Sequence, residues 1–228
     1  MIIAIHQPQF MPWLGYFDKM DQVDAFVLLD NVQYKKNEFQ NRNRIKTPQG
    51  PQWLTVPVSY KFPALINEVT VRAGDPWRRK HQQTLVANYA KAPYWAEFSD
   101  SLRDLYAVES TSLAEVNRAS VAWLQKELGI DTPLVAASEM DLSEEPTQRL
   151  LDICSEFGAS TYLAGVDGRK YMELDRFEAA GIEVVFQGFE HPNYSQLHGE
   201  FTSHLSALDL LFNCGPESGK IVRSNRKK

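Results

Sequence analysis

The run HQPQFMP, residues 6 to 12, puts a histidine and two glutamines directly after four apolar residues. His6 can act as acid, base or fixed hydrogen-bond partner near neutral pH. The amides of Gln7 and Gln9 each offer a donor and an acceptor, suited to a sugar hydroxyl or a base edge. The alternative is that these groups satisfy the backbone of a tight bend, but a histidine with two amides at a strand terminus favours a site. A second set follows in LLDNVQYKKNEFQNRNRIK: Asp30, Asn31, Gln33, Lys35, Lys36, Asn41, Arg42, Asn43 and Lys46. A carboxylate beside guanidinium forks and amides suits a ligand with phosphate and hydroxyls, because guanidinium meets phosphate bidentately. If extended, Asn41, Asn43 and Ile45 lie on one face and Arg42, Arg44 and Lys46 on the other. Asn41 and Arg42 read as binding residues, while a solvated basic loop stays open for Lys35, Lys36, Arg44 and Lys46.

Two further constellations carry less. In YLAGVDGRKYM, Gly165 and Gly168 bracket a turn after a strand, with Asp167 between them and Tyr171 close behind. Backbone N–H groups at a following helix start would favour an anion, a plain turn is the alternative, and the GxxxxGK[ST] spacing is missing. His191, His198 and His204 lack the spacing of HExxH or of a helical zinc pair, so no metal site is expected. Asp209 interrupts the apolar stripe Leu205, Leu208, Leu211 and Phe212; it either caps a neighbouring loop or reaches the site. There is no GxSxG, and neither cysteine sits in a recognisable pattern with a histidine.

The elements that must position these groups alternate. Residues 2–5 and 24–30 read as strands covered on both faces, with Pro8 and Pro12 forcing a loop and Leu14 to Gln22 a short helix between them. In such a βαβ unit ligands gather beyond the carboxyl ends of the strands, where His6 and Asp30 fall. Strands are expected over 53–58 and 66–71, the first with Pro57 at an edge or end. Asp75 reads as an N-cap with Pro76 at the first helical position, opening a helix to about Lys91. Helices over 94–107 and 112–128 complete a helical block at about 75–128. Alternation then resumes: a strand from Leu134, a helix over 144–157 capped by Ser143 and closed by Gly158, strands over 161–164 and 182–186, and a helix from Ser203 to Asn213. The fold class is α/β with a mostly parallel, Rossmann-like sheet and a central helical block, one domain over 1–217 with a frayed basic tail at 218–228. A nucleotidyl-transferase HxGH loop occupies a similar place after a first strand, but Pro8 and Gln9 stand where its Gly-His pair would be.

At 228 residues, 43% hydrophobic and 11% aromatic, the chain can bury a real core. A net charge of −5 argues against a nucleic-acid partner. Cys154 and Cys214 lie far apart and read as reduced, packed thiols. No stretch approaches the roughly 20 apolar residues of a membrane span, and no basic segment precedes the first apolar run. The expected setting is cytoplasmic, with a small-molecule partner and no stable membrane insertion.

The segments IHQPQFMPWLGYFDK, DAFVLLDNVQYKKNEFQNRNRIK, WLTVPV, WRRKH, YAKAPYW, YLAG with GRKYM, and SALDLLFNCG occur in this order along the chain. Together they resemble the WbqC-like family. That resemblance implies a bacterial protein, with some members encoded among O-antigen and other surface-polysaccharide (lipopolysaccharide) genes, and a transferase that acylates an amino sugar with glycine. It implies no catalytic residue, so the roles follow from the residues themselves. His6 takes the proton of an attacking amine, and Asp30, the second catalytic candidate, orients hydroxyls. Arg42 with Lys35 or Lys46 holds phosphate. Gln7, Gln9 and Asn41 orient hydroxyls, and Gln33, Gly165, Asp167 and Tyr171 add substrate contacts. The donor would arrive activated, as an adenylate made from ATP or on an acyl carrier. A nucleotidyl transferase or ATP-dependent ligase, and a non-catalytic sugar-nucleotide binding protein, are the alternatives.

Overall fold

Ile2–His6 (β1) and Ala25–Leu28 (β2) hold no charged side chain before His6, so both strands can be covered on both faces. They pair in parallel, with Ile3 opposite Ala25 and His6 opposite Leu28. In this computed structural model, which describes residues 1–170 and 172–226, three further strands join them. Leu134–Ala136 (β7), Thr161–Ala164 (β8) and Glu183–Phe186 (β9) complete a five-stranded sheet in the order β7-β2-β1-β8-β9, parallel throughout. The chain builds outward from β1 on one side and then crosses to build outward on the other. The order of building therefore reverses between β1 and β8, where open parallel sheets form their ligand crevice.

Strand alternation divides the core in two. Ile3, Ile5, Ala25, Val27 and Tyr162 pack with Pro146–Glu156 (α5) and Leu174–Ala179 (α6). Ala4, Phe26, Leu28 and Leu163 face the opposite layer, built from Leu14–Met20 (α1), Ala207–Cys214 (α7) and the helical block. That block comprises Trp77–Tyr89 (α2), Trp95–Ala107 (α3) and Leu113–Glu127 (α4). Between β2 and the block, Arg42–Thr47 (β3) and Gly50–Thr55 (β4) form an antiparallel hairpin.

Local chemistry moves several expected boundaries. Asp75 does not cap α2: Pro76 holds that position, and Asp75 lies 3.4 Å from the Lys80 ammonium instead. Ser143 yields the α5 cap to Glu145, whose carboxylate accepts from both Thr147 N and Gln148 N, leaving fewer unmet helix-end donors than one hydroxyl would. Residues 66–68 form a 3₁₀ turn, so only Thr70–Val71 (β6) is extended, paired with Val58–Ser59 (β5). Helix α7 starts four residues later than expected, with Ser206 accepting from Leu208 N. The preceding residues 187–206 are a long strap without regular structure apart from isolated bridges at Phe189 and Ser206, a length that usually accompanies function.

Ser218–Arg223 forms α8, and Arg223 chelates Asp21 through Nε and Nη2 at 2.8 and 2.6 Å. Arg226 Nε donates to the fully buried Asp18 at 2.7 Å. Asp18 also accepts from Gln22 and Gln187, so one carboxylate ties α1, the strap and the chain's end together. Removing Arg226 leaves a buried carboxylate without its cation, so Arg226→Ala should cost about 2 kcal/mol in urea unfolding. Breaking the exposed Arg103–Asp100 pair by Arg103→Ala should leave the urea midpoint unchanged.

Candidate functional site

The loop after β1 contains two prolines and cannot hydrogen-bond itself into regular structure. Side chains and backbone from distant segments hold it. Asn117 of α4 donates to Pro8 O (3.4 Å) and Gln40 O (2.7 Å). Asn43 of β3 donates to Met11 O (2.8 Å), and Met11 N donates to the Ser120 hydroxyl (3.2 Å). Phe10 N donates to Phe39 O and Ala207 N to Pro12 O. So clamped, Met11 stays in the left-handed region at φ 45°, unusual for a side chain of its kind. Gln40 also donates to Gln7 Oε1 at 2.7 Å, joining the loop to the segment that leads into β3.

His6 projects from the carboxyl end of β1 toward α1. Its ring lies 4.7 Å from that of Tyr16 and 6.3 Å from that of Phe26. Beneath it the fully buried Lys19 donates to Ile5 O at 3.0 Å. Burial brings the Lys19 ammonium down to about 7. Burial first, and the Lys19 charge second, hold the His6 imidazole well below its ordinary value, so it is neutral at pH 7. Gln9 Nε2 lies 3.4 Å from His6 Nε2. His6 Nδ1, Gln9 Oε1 and the Tyr16 hydroxyl have no partner among the described residues. With the Gln9 amide turned over, its oxygen accepts from His6 Nε2–H and Nδ1 keeps a bare lone pair, the state a general base needs. Three unmet polar atoms around one imidazole at a sheet's reversal point are what a bound ligand would satisfy.

A second cluster lies on the outward face of β3. The Arg42 and Arg44 guanidiniums sit 4.3 and 5.6 Å from the Trp53 ring, and neither has a carboxylate partner among the described residues. Arg44 Nη2 donates to His204 O at 3.4 Å. The His204 ring stacks on Trp13 at 5.2 Å and meets His191 at 5.1 Å, so these histidines belong to an aromatic cluster between the strap and α1. Trp13 can lie there because residue 15 is glycine: a Cβ would come within 2.3 Å of the indole. The strap is anchored below by Asp209, which accepts from Tyr89 (2.6 Å), Tyr194 (3.0 Å) and Gln196 (2.8 Å). Asp209 thus caps a loop. Burial raises its carboxyl above the ordinary value, against the pull of these donors.

Residues 7–221 match the WbqC-like protein family. The chain belongs to this family. It is also similar to a relative from Mycobacterium tuberculosis (strain ATCC 25618 / H37Rv), the uncharacterized protein Rv1507c, with 38% identity over 229 residues and 99% of each chain covered. No solved structure matches.

The fold of this WbqC-like chain places the expected site residues unevenly. His6, Gln7 and Gln9 cluster at the carboxyl end of β1, and Gly165 follows β8 on the other side of the reversal point, with open space where a side chain would begin. Asp167, on the next turn, is exposed and pairs with Lys170 at 2.6 Å. Tyr171 lies outside the described residues. Asp30 also reaches the carboxyl edge, but its two oxygens accept from Ser138 N (2.9 Å) and the Ser138 hydroxyl (2.6 Å), which engages it structurally. Asn41 is buried with both amide atoms engaged, accepting from Tyr34 OH and donating to Val56 O. Lys46 is buried against the strap, donating to Gln196 Oε1 at 3.0 Å and to the carbonyls of Gly199 and Glu200. Gln33 is exposed at a bridge to Leu65, and Lys35 is exposed with only its backbone N held, by Gln40 Oε1. Lys19, Tyr16 and Arg44 were not among the expected site residues. For the first two a signal existed: LGYFDKM is too apolar all round for a surface helix, and every residue of α1 is buried.

The Lys19 shift has a consequence for stability. Between about pH 7 and the ordinary lysine value the unfolded chain holds a proton that the folded chain has lost, so stability rises with pH in that window and is flat below it. Lys19→Met should therefore flatten that rise relative to the parent protein in urea titrations at pH 7 and pH 9. Parallel profiles would show Lys19 to be charged and solvated.

Proposed function

We propose that this protein is an acyl-transfer enzyme acting on the amine of a sugar or nucleotide-sugar, of the kind used in bacterial surface-polysaccharide assembly. The observation that carries the reading is the neutral, shielded His6, whose buried Nδ1 has no hydrogen-bond partner among the described residues, at the reversal point of a parallel sheet. In the reaction the substrate nitrogen attacks the carbonyl carbon of an activated acyl donor. A C–N bond forms, the bond from the carbonyl to the leaving group breaks, and the proton released by the amine goes to His6. Burial, with the charge of Lys19 fixed on Ile5 O as the smaller cause, keeps the imidazole uncharged, so its lone pair is available for that proton. Gln9 and Gln7 orient hydroxyls beside it.

The phosphate of the substrate is assigned to Arg42 and Arg44, the pair without carboxylate partners, with Trp53 as their platform. Arg44 takes the part that Lys46 cannot play, because the Lys46 ammonium is already coordinated by the strap. The hydrogen bond from Gln40 to Gln7 and the Phe10–Phe39 backbone bond link this hairpin to the loop that carries His6.

The test is incubation with nucleotide-linked amino sugars and activated acyl donors, with the acylated amine detected by mass spectrometry. His6→Ala should lower kcat by about 10²–10⁴-fold. Arg42→Ala combined with Arg44→Ala should raise KM for phosphorylated acceptors and leave KM for unphosphorylated ones unchanged. Unaltered turnover in His6→Ala would remove the base role. Saturable binding of a sugar nucleotide with no product under any donor would make this a binding protein.

A further inference from the structure

The loop that presents His6 on one side forms the floor of a separate cleft on the other. Phe10 and Met11 close the bottom of a cleft of about 240 Å³, walled by Trp77 of α2, Tyr106 of α3 and Val116 of α4. That volume is below the roughly 300–1,000 Å³ of drug-sized ligand pockets, so it is too small for a nucleotide sugar. It is not part of the site described above: none of His6, Gln9, Arg42 or Arg44 lines it.

Three charges stand at its mouth. Arg78 stacks on Trp77 with its guanidinium 4.6 Å from the ring, and Nη2 donates to Ser110 O at 3.3 Å. Glu109 and Glu115 line the same mouth, and none of the three is in an ion pair among the described residues. Opposite charges that share a rim without neutralising one another are complementary to a ligand carrying both signs. An apolar, aromatic-walled interior beneath them calls for an apolar body on that ligand. We infer that this cleft is a second ligand site, for a small zwitterion with an apolar side chain: an aromatic or branched α-amino acid. Its carboxylate meets Arg78, its ammonium meets Glu109 or Glu115, and its side chain rests between Trp77, Tyr106 and Met11. Because Met11 N is bound to the Ser120 hydroxyl at the cleft wall, the occupant presses on the back of the loop that carries His6. The inference does not depend on the acyl-transfer reading, since binding alone tests it.

Titration calorimetry on the full chain would use L-phenylalanine, L-leucine, glycine, 2-phenylethylamine and 3-phenylpropionate. Phenylalanine or leucine should bind saturably with 1:1 stoichiometry. Glycine, which lacks the apolar body, and the two analogues lacking one charge should each bind at least about tenfold more weakly, the loss expected for about 1.4 kcal/mol. Arg78→Met should weaken the amino acid about tenfold and erase its advantage over 2-phenylethylamine. Ala119→Trp, which fills the cleft from α4, should abolish binding with an unchanged circular dichroism spectrum. Absence of saturable binding by both amino acids would overturn the inference. So would binding of 2-phenylethylamine as tight as that of phenylalanine, or an amino-acid affinity indifferent to both substitutions.

Discussion

The clamp on residues 7–13 is the constraint from which the rest of the molecule follows. Two prolines remove donors from this segment, and its remaining polar atoms must be matched by groups from elsewhere. They are matched by Asn43, Asn117 and Ser120, by the backbone of Phe39, and by Ala207 at the start of α7. Hairpin, helical block and α7 therefore converge on one loop. A loop held from three directions can keep Met11 in a left-handed conformation and can hold His6 still. That rigidity is what a base or ligand-reading imidazole requires.

Two buried charges organise what surrounds the clamp, and they are handled oppositely. Asp209 is surrounded by donors: two tyrosine hydroxyls and an amide bind it directly, and Lys46 lies near. It works as the anchor of the 187–206 strap. Among the described residues Lys19 donates to one carbonyl, and burial brings its titration down to about 7. Structural charges are generally surrounded by partners. A buried lysine that titrates near pH 7 beside a neutral histidine is the kind of perturbed pair that clusters at functional sites.

Most of the architecture was legible because periodicity reports burial directly. IIAI, AFVL and TYLA are apolar on both faces, as strands of a covered parallel sheet must be, and all lie in that sheet. Alternation in NRNRIK separated Asn43 and Ile45 from Arg42 and Arg44 correctly. Boundaries shifted where two residues competed for one cap, as at Ser143 and Glu145, because the choice depends on a geometry that neither residue type declares. The contacts of residues 218–226 escaped a local reading for a related reason. Arg223 and Arg226 look like solvated charges until Asp18 and Asp21 are seen opposite them, about two hundred residues away in sequence.

The sequence alone determined that an imidazole and two amides end the first buried strand, that a parallel α/β sheet carries them, and that a polar, basic segment follows the second strand. These are local properties, written in residue type and spacing. Only the tertiary structure decided which polar groups are engaged and which are open. Asp30, Asn41 and Lys46 met partners from Ser138, Tyr34 and Val56, and the strap, while His6, Arg42 and Arg44 kept unmatched atoms. Whether a side chain is free depends on what the chain brings to it from far away, and that long-range closure has no trace in local composition.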